Sequence, residues 1–271
     1  MAESSERTDA SLSRAIVLAR DVLAEAPAGL LTDFDGTISP IVSDPSLARL
    51  VTGAGGALAA LAERLEVVAV ITGRTPQDAR RLAGVPAILI AGNHGMEWLE
   101  PDQSEPAPAP GAAGISERLE EVLGRIPELP GVVPEHKGIS ASVHYRNAPD
   151  PDAARSSIVE ALGDVEAQGL WLNHGRMIVE VRPVGLGDKG SAARAIVERF
   201  GLRGVVVMGD DATDLDMFRA VDDLRSAGSL RGAIIGVGGA AGEVLPALVE
   251  ACDVVLADPT EVGELLSVLS R

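Results

Sequence analysis

The sequence predicts an α/β fold in which a parallel sheet covered by helices carries a smaller, inserted α/β module. Three observations predict it. Nearly all-apolar runs rich in β-branched residues alternate with segments of helical periodicity, the pattern of parallel strands buried on both faces. Polar motifs close several of those runs, at the carboxyl ends of strands where open α/β sheets bind ligands. The alternation is interrupted once, by segments whose apolar residues fall on every second position.

Taken in order, the first dozen residues are polar and are expected to be disordered. Gly29–Thr32 forms the first strand and runs into DFDGT at Asp33–Thr37. Helical periodicity over Ser46–Leu65 precedes a strand at Leu65–Ile71 that ends in ITGR, and Ala87–Ala91 leads into GNHG at Gly92–Gly95. The Pro/Ala-rich stretch PDQSEPAPAPGAA then has the composition of a linker. Ile139–Arg146 alternates strictly beyond it, with Ile139, Ala141, Val143 and Tyr145 opposing Ser140, Ser142, His144 and Arg146. Met177–Arg182 alternates in the same way, as strands of an antiparallel sheet with one packed and one wet face do. Helical patterns at Ile115–Ile126 and Ala153–Leu162 are available to cover the packed face, and Arg182–Asp188 forms the second linker. Residues 112–186 are therefore read as the inserted module, and 1–111 with 187–271 as a Rossmann-like parallel-sheet domain. That domain resumes with a helix at Lys189–Phe200, a strand at Gly204–Met208 ending in GDDATD, and a helix from Thr213 to Ala220. Gly232–Val237 and Asp253–Ala257 are its last strands.

The 271 residues suffice for a large α/β domain with a second one inserted. Aromatics are only 2% of the chain, so Val, Leu, Ile and Ala must fill the core. Cys252 is the only cysteine, which excludes an intrachain disulfide and a cysteine-based metal site. Apolar runs are too short to cross a bilayer and the N-terminus lacks the pattern of a signal peptide, so a cytoplasmic protein is expected. A formal charge of −17 argues against nucleic acid and anionic membrane as partners. Such a charge also opposes an anionic small molecule, unless some carboxylates hold a divalent cation that inverts the local field. Oligomeric state is left open, with a monomer favoured.

The strand-end motifs carry the chemistry. Asp33 and Asp35 are two apart, so both side chains can point into one crevice. A carboxylate is a competent covalent nucleophile, and a second one nearby can protonate a leaving alkoxide and later deprotonate water. An Asx-rich turn would explain DFDGT alone equally well. Asp210, Asp211 and Asp214 add oxygen ligands of the kind Mg²⁺ prefers, with Asp210 best placed beside Asp33 and the other two orienting waters or the loop. Acidic residues also suit a helix start, and Asp214 could cap one while Asp210 binds metal. Thr72 offers a hydroxyl to a phosphoryl oxygen. Lys189 opens a helix, where the macrodipole disfavours a cation, so its charge is expected to serve phosphate and nucleophile.

DFDGT, Thr72, Lys189 and GDD, in that order, resemble the four-part signature of the haloacid dehalogenase superfamily. The resemblance implies Asp33 as nucleophile, Asp35 as general acid/base, Thr72 and Lys189 as phosphate binders and Asp210 as Mg²⁺ ligand. It adds metal contacts from Asp33 and from the main-chain carbonyl of Asp35. GNHG, EHKGISASVHYRN at Glu135–Asn147 and EVRP before DKG are similar to the trehalose-6-phosphate phosphatases within that superfamily. On that resemblance the inserted module is a cap domain, and Glu135, Lys137 and Glu180 hold the sugar. Asn93, His94, Arg74 and Arg146 complete the expected substrate-binding set, while His136, His144 and His174 are read as structural. The implied activity is Mg²⁺-dependent hydrolysis of trehalose 6-phosphate through an aspartyl-phosphate. Phosphatases of sucrose phosphate or a glycosyl-phosphoglycerate, and a catalytically dead sugar-phosphate sensor, are the alternatives. Leu215 and Asp188 depart from the family's usual Glu and Asn.

Overall fold

A computed structural model describes residues 2–271 apart from 110–111, 137, 176 and 240–243. In chain order the first unit contains α1 (Ala2–Leu23), β1 (Ala28–Thr32), α2 (Ala54–Ala62), β2 (Val67–Ile71), α3 (Pro76–Ala83), β3 (Leu89–Gly92), β4 (Glu97–Leu99) and the short β5 (Ala107–Pro108). A second unit follows with α4 (Ile115–Leu123), β6 (Val133–His136), β7 (Ala141–His144), α5 (Pro151–Leu162), β8 (Leu170–Gly175) and β9 (Ile178–Pro183). The first unit then resumes with α6 (Lys189–Phe200), β10 (Gly204–Gly209), α7 (Asp214–Ser226), β11 (Arg231–Val237), α8 (Pro246–Ala251), β12 (Val254–Leu256) and α9 (Pro259–Leu269). Compact packing divides the chain into Met1–Ala107 with Asp188–Arg271, and Pro108–Gly187.

The first unit's sheet has the order β12-β11-β10-β1-β2-β3-β4-β5. Its strands from β12 to β3 pair in parallel, and β4 turns antiparallel on β3. Every residue of β1, β2 and β10 is buried, as their unbroken apolar runs require. On one face Leu30, Val68, Val70, Val206, Met208 and Ile235 pack in a single cluster with α1, α2 and α9. Helices α6 and α7 cover β2, β10 and β11 on the other, burying Ile196, Met217, Phe218 and Val221. From β1 the chain proceeds to one side through β2 and β3, and to the other through β10 and β11. The carboxyl ends of β1 and β10 thus flank the topological switch point, the ligand-binding position of such sheets.

In the second unit the order is β6-β7-β9-β8, all antiparallel. Ala141, Val143, Val179 and Val181 are buried on its packed face, and the helices bury matching stripes at Ile115, Leu119 and Val122, and at Ala154, Ile158 and Leu162.

Two expectations about elements change. Of the first dozen residues, expected to be disordered, 2–12 are helical, continuous with a stripe of Ala15, Ala19 and Val22 that buries α1 against the sheet cluster. Helix over 46–65 is interrupted: Pro45–Leu47 makes one 3₁₀ turn, and α2 starts only after Gly53, whose φ of 84° is left-handed and ends any continuous helix there. No described helix is long and apolar enough to cross a membrane.

Candidate active site

β1 delivers Asp33 and β10 delivers Asp210 to the same crevice. Between them, Gly36 has φ 83°, and a Cβ at that position would sit 2.0 Å from the Asp210 carboxylate. Glycine therefore serves twice here: it turns the chain and admits Asp210 to the loop. Thr37 donates its hydroxyl to Asp210 Oδ1 at 2.9 Å, joining two motifs 173 residues apart.

Lys189 is the first residue of α6 and only 3% exposed. Asp188 caps that helix by accepting from Ser191 N–H at 2.6 Å, work that its carboxylate does as well as an amide would. The Lys189 ammonium lies 2.8 Å from Asp33 Oδ1 and 2.8 Å from Asp214 Oδ1. Those carboxylates, not the unfavourable helix dipole, decide its state. Burial works against the charge, but Asp33 and Asp214 overcome it and raise the lysine pKa. Asp33, itself 4% exposed, is raised above the carboxylate range by burial, against the pull of Lys189.

Asp214 has no exposure. Its Oδ2 accepts from the main-chain N–H groups of Asp210 and Asp211 at 2.9 and 3.0 Å, which folds the GDDATD loop back on itself. Asp211 supplies the helix-start contacts instead, accepting from the N–H groups of Thr213 and Asp214. Burial and the hydrogen bonds from Thr213 act oppositely on Asp211, and its pKa is lowered. Asp210 is pushed up to about 7 by burial, with Thr37 opposing and Asp214 and Asp211 reinforcing.

Oxygens of Asp33, Asp210 and Asp214 lie within 4.8 Å of one another. This hard, oxygen-only, anionic donor set fits Mg²⁺. Both Asp214 oxygens already accept hydrogen bonds, so Asp33 and Asp210 have the better claim to direct ligation.

Thr72 directly follows β2, is 1% exposed, and accepts from Arg74 N–H at 3.2 Å, which leaves the hydroxyl proton to donate. Two residues on, Arg74 spends its guanidinium on carboxylates. Its Nε and Nη2 grip Asp35 at 2.6 and 2.7 Å, and Nη1 holds Asp78 at 2.8 Å. GNHG is tied to this loop by Asn93 N–H to Arg74 O and His94 N–H to Thr72 O. Asn93 and His94 are both left-handed, a conformation costly for side-chain-bearing residues and held here by those bonds. The His94 ring lines the crevice against Gly73, where a Cβ would clash at 2.9 Å, whereas Asn93 turns to Glu97.

Together Asp33, Asp35, Thr72, Arg74, His94, Lys189, Asp210 and Asp211 line a cavity of about 400 Å³, with Ile41, Val42 and Pro45 as an apolar wall. A larger cleft of about 800 Å³, between Pro40–Thr52 and α9, holds no comparable group of carboxylates and lysine.

The other expected residues lie in the second unit. Glu135, Ser142, Glu180 and Asn173 are register partners in a row across β6, β7, β9 and β8. Glu180 accepts from Asn173 and Arg182 at 2.8 and 3.0 Å, and Glu135 pairs with His144 at 2.9 Å. Arg146 is exposed in the turn after β7, and Lys137 lies outside the described residues. Sequence reasoning missed Asp78, the apolar wall and the His144, Asn173 and Arg182 contacts. Asp78 left only its spacing as a signal, four residues beyond Arg74, which itself precedes the first turn of α3.

Fold and carboxylate crevice define a haloacid dehalogenase-like protein. A haloacid dehalogenase-like hydrolase from Bacteroides thetaiotaomicron has the same fold at 12% identity, with a TM-score of 0.55 over 89% of this chain and 98% of that one. Residues 31–234 match the model of the trehalose-phosphatase family, and the chain belongs to that family. A trehalose-phosphate phosphatase from Mycobacterium avium is 41% identical over 224 residues, 77% of this chain and 55% of that protein. The chain thus spans about half the length of the curated relative it matches. Aspergillus fumigatus trehalose-6-phosphate phosphatase superposes with a TM-score of 0.67 at 25% identity, covering 94% of this chain and 97% of that one.

Proposed function

We propose that the chain is a Mg²⁺-dependent phosphatase that hydrolyses trehalose 6-phosphate to trehalose and phosphate through an aspartyl-phosphate on Asp33. The observation that carries the reading is the Asp33–Lys189–Asp214 contact at the switch point, with Asp35, Thr72 and Asp210 lining the same crevice. A buried lysine at a helix start has no stabilising purpose unless anions meet it there. Family membership and the names of the relatives supply the substrate.

In this mechanism the ester phosphate enters the crevice and takes hydrogen bonds from Lys189 and the Thr72 hydroxyl. A carboxylate oxygen of Asp33 attacks phosphorus as the bond to the sugar oxygen breaks, and that oxygen takes a proton from Asp35. Water then attacks the phosphoryl group and gives a proton to Asp35, the bond to Asp33 breaks, and phosphate leaves. Asp33, Asp210 and the main-chain carbonyl of Asp35 would hold Mg²⁺, whose charge offsets the repulsion between carboxylate and phosphate. The inserted unit is the cap, and Glu135, Lys137, Arg146 and Glu180 bind sugar hydroxyls by charge-assisted hydrogen bonds.

Phosphate release from trehalose 6-phosphate, sucrose 6-phosphate and glucosyl-phosphoglycerate tests the reading. Turnover should be greatest with the first, disappear in Asp33→Asn, and fall about 10²–10⁴-fold in Asp35→Asn, the usual range for general acid–base help. Retained activity in Asp33→Asn, with the amide verified by mass, removes the nucleophile. A different preferred ester removes the sugar.

A further inference from the structure

Arg74 stands in the crevice where a substrate-binding residue is expected, yet the hydrogen bonds of its guanidinium go to carboxylates of this chain. Nε and Nη2 form the two-pronged grip on Asp35, and Nη1 is tied to Asp78. Its side chain is 10% exposed, and its guanidinium carbon lies 5.4 Å from the centre of the Phe34 ring. The planar fork is therefore fixed from three directions: Asp35 in front, Asp78 beside it and Phe34 beneath. Asp78 is in turn held by Arg81 at 2.5 Å and by α3, whose first turn is capped by Thr75 through Asp78 N–H. Asp35, by contrast, follows the end of β1 on a loop and is 37% exposed. Among the described residues, no side-chain hydrogen bond other than those from Arg74 restrains its carboxylate.

We propose that Arg74 is a positioning residue that sets the orientation of the Asp35 carboxyl group, and that its direct contribution to substrate affinity is secondary. This rests on the proposed role of Asp35 as acid and base. The grip uses one lone-pair direction on each carboxyl oxygen and leaves the others for the proton exchanged with leaving oxygen or water. A planar, bidentate partner fixes the carboxyl plane as well as its distance, which a single ammonium cannot do. Transfer of a proton over hydrogen-bond distance depends steeply on that placement.

Leaving-group dependence tests the proposal, with para-nitrophenyl phosphate beside trehalose 6-phosphate. The nitrophenolate leaves without a proton, whereas the far more basic sugar alkoxide needs one. Hydrolysis of the aspartyl-phosphate needs Asp35 as base in both cases. Arg74→Lys keeps the charge and loses the fork. It should lower kcat with trehalose 6-phosphate about 10–100-fold with less than threefold change in KM, the scale of a misplaced catalytic group. With para-nitrophenyl phosphate the same variant should release the first equivalent of nitrophenolate at the wild-type rate and then turn over slowly. Asp78→Asn, which loosens the fork without touching Asp35, should show the same pattern more weakly. A first turnover slowed as much as the sugar reaction would assign Arg74 to the fold. A rise in KM with kcat unchanged would assign it to substrate binding, and wild-type kinetics would remove any role. Failure of the wild type on trehalose 6-phosphate would sink the sugar assignment but leave the nitrophenyl comparison intact.

Discussion

Replacing Lys189 by Met separates the electrostatic work of the lysine from its chemistry. Its ammonium is 2.8 Å from both Asp33 and Asp214, and all three side chains are almost entirely out of water. Methionine has similar length and no charge, so the variant leaves two buried carboxylates facing each other. Breaking a buried pair costs about 3–5 kcal/mol through the uncompensated charge that remains. At about 2–4 °C per kcal/mol for a domain of this size, the first unit's transition should fall by roughly 6–20 °C. The penalty should depend on pH in a definite direction. Burial already holds the folded pKa values of Asp33 and Asp214 above the ordinary 3.8, and loss of Lys189 raises them further. Ionising them then destabilises the fold progressively as pH rises from that ordinary value through the raised ones. The deficit therefore grows as pH rises above that ordinary value and shrinks on acidification, as protonation removes the repulsion. Trp98 is buried in the first unit and Trp171 lies in the second, so urea unfolding in a Trp171→Phe background follows the first unit alone. Equal stability of Lys189→Met and the parent at pH 8, or a deficit that grows on acidification, would refute the reasoning.

Asp210, held near 7, should make metal binding pH-dependent, because a protonated carboxyl does not ligate. Without metal, its raised pKa means stability lost as pH rises from about 4 to 7, so saturating Mg²⁺ should raise Tm more at pH 8 than at pH 6; equal increments would exclude Asp210 as a ligand. Glu180→Ala and Glu135→Ala should each cost about 1.5–3 kcal/mol in kcat/KM for trehalose 6-phosphate, the worth of a charged hydrogen bond, while para-nitrophenyl phosphate turnover stays near wild type. Equal losses on both substrates would assign these glutamates to the fold of the second unit, where they already bond His144, Asn173 and Arg182. Cys252 is pushed up to about 12 by burial and by Asp253 and Asp214, so iodoacetamide at pH 8 should leave it almost unmodified in the native protein and alkylate it readily in urea.

What the sequence determined by itself follows from local patterns. β1, β2 and β10 were legible because strands buried on both faces must be apolar throughout, and their polar endings marked the crevice. Lys189–Phe200 was legible at both ends, because Asp188 caps it and left-handed Gly201 stops it. Asp33, Asp35, Thr72, Lys189 and Asp210 could be named because each stands where a strand ends or a helix begins. α1 escaped because its exposed faces are as polar as a disordered tail, and only packing reveals the Ala15–Ala19–Val22 stripe as buried. The tertiary structure alone decided which charges meet. Nothing in DFDGT says that Asp35 belongs to Arg74, 39 residues on, or in GDDATD that Asp214 bonds Lys189 while Asp211 serves the helix start. Sequence spacing fixes the side on which a residue emerges from its own element. The partner it finds is set by the order of strands in the sheet, where β1 and β10, far apart in the chain, lie side by side.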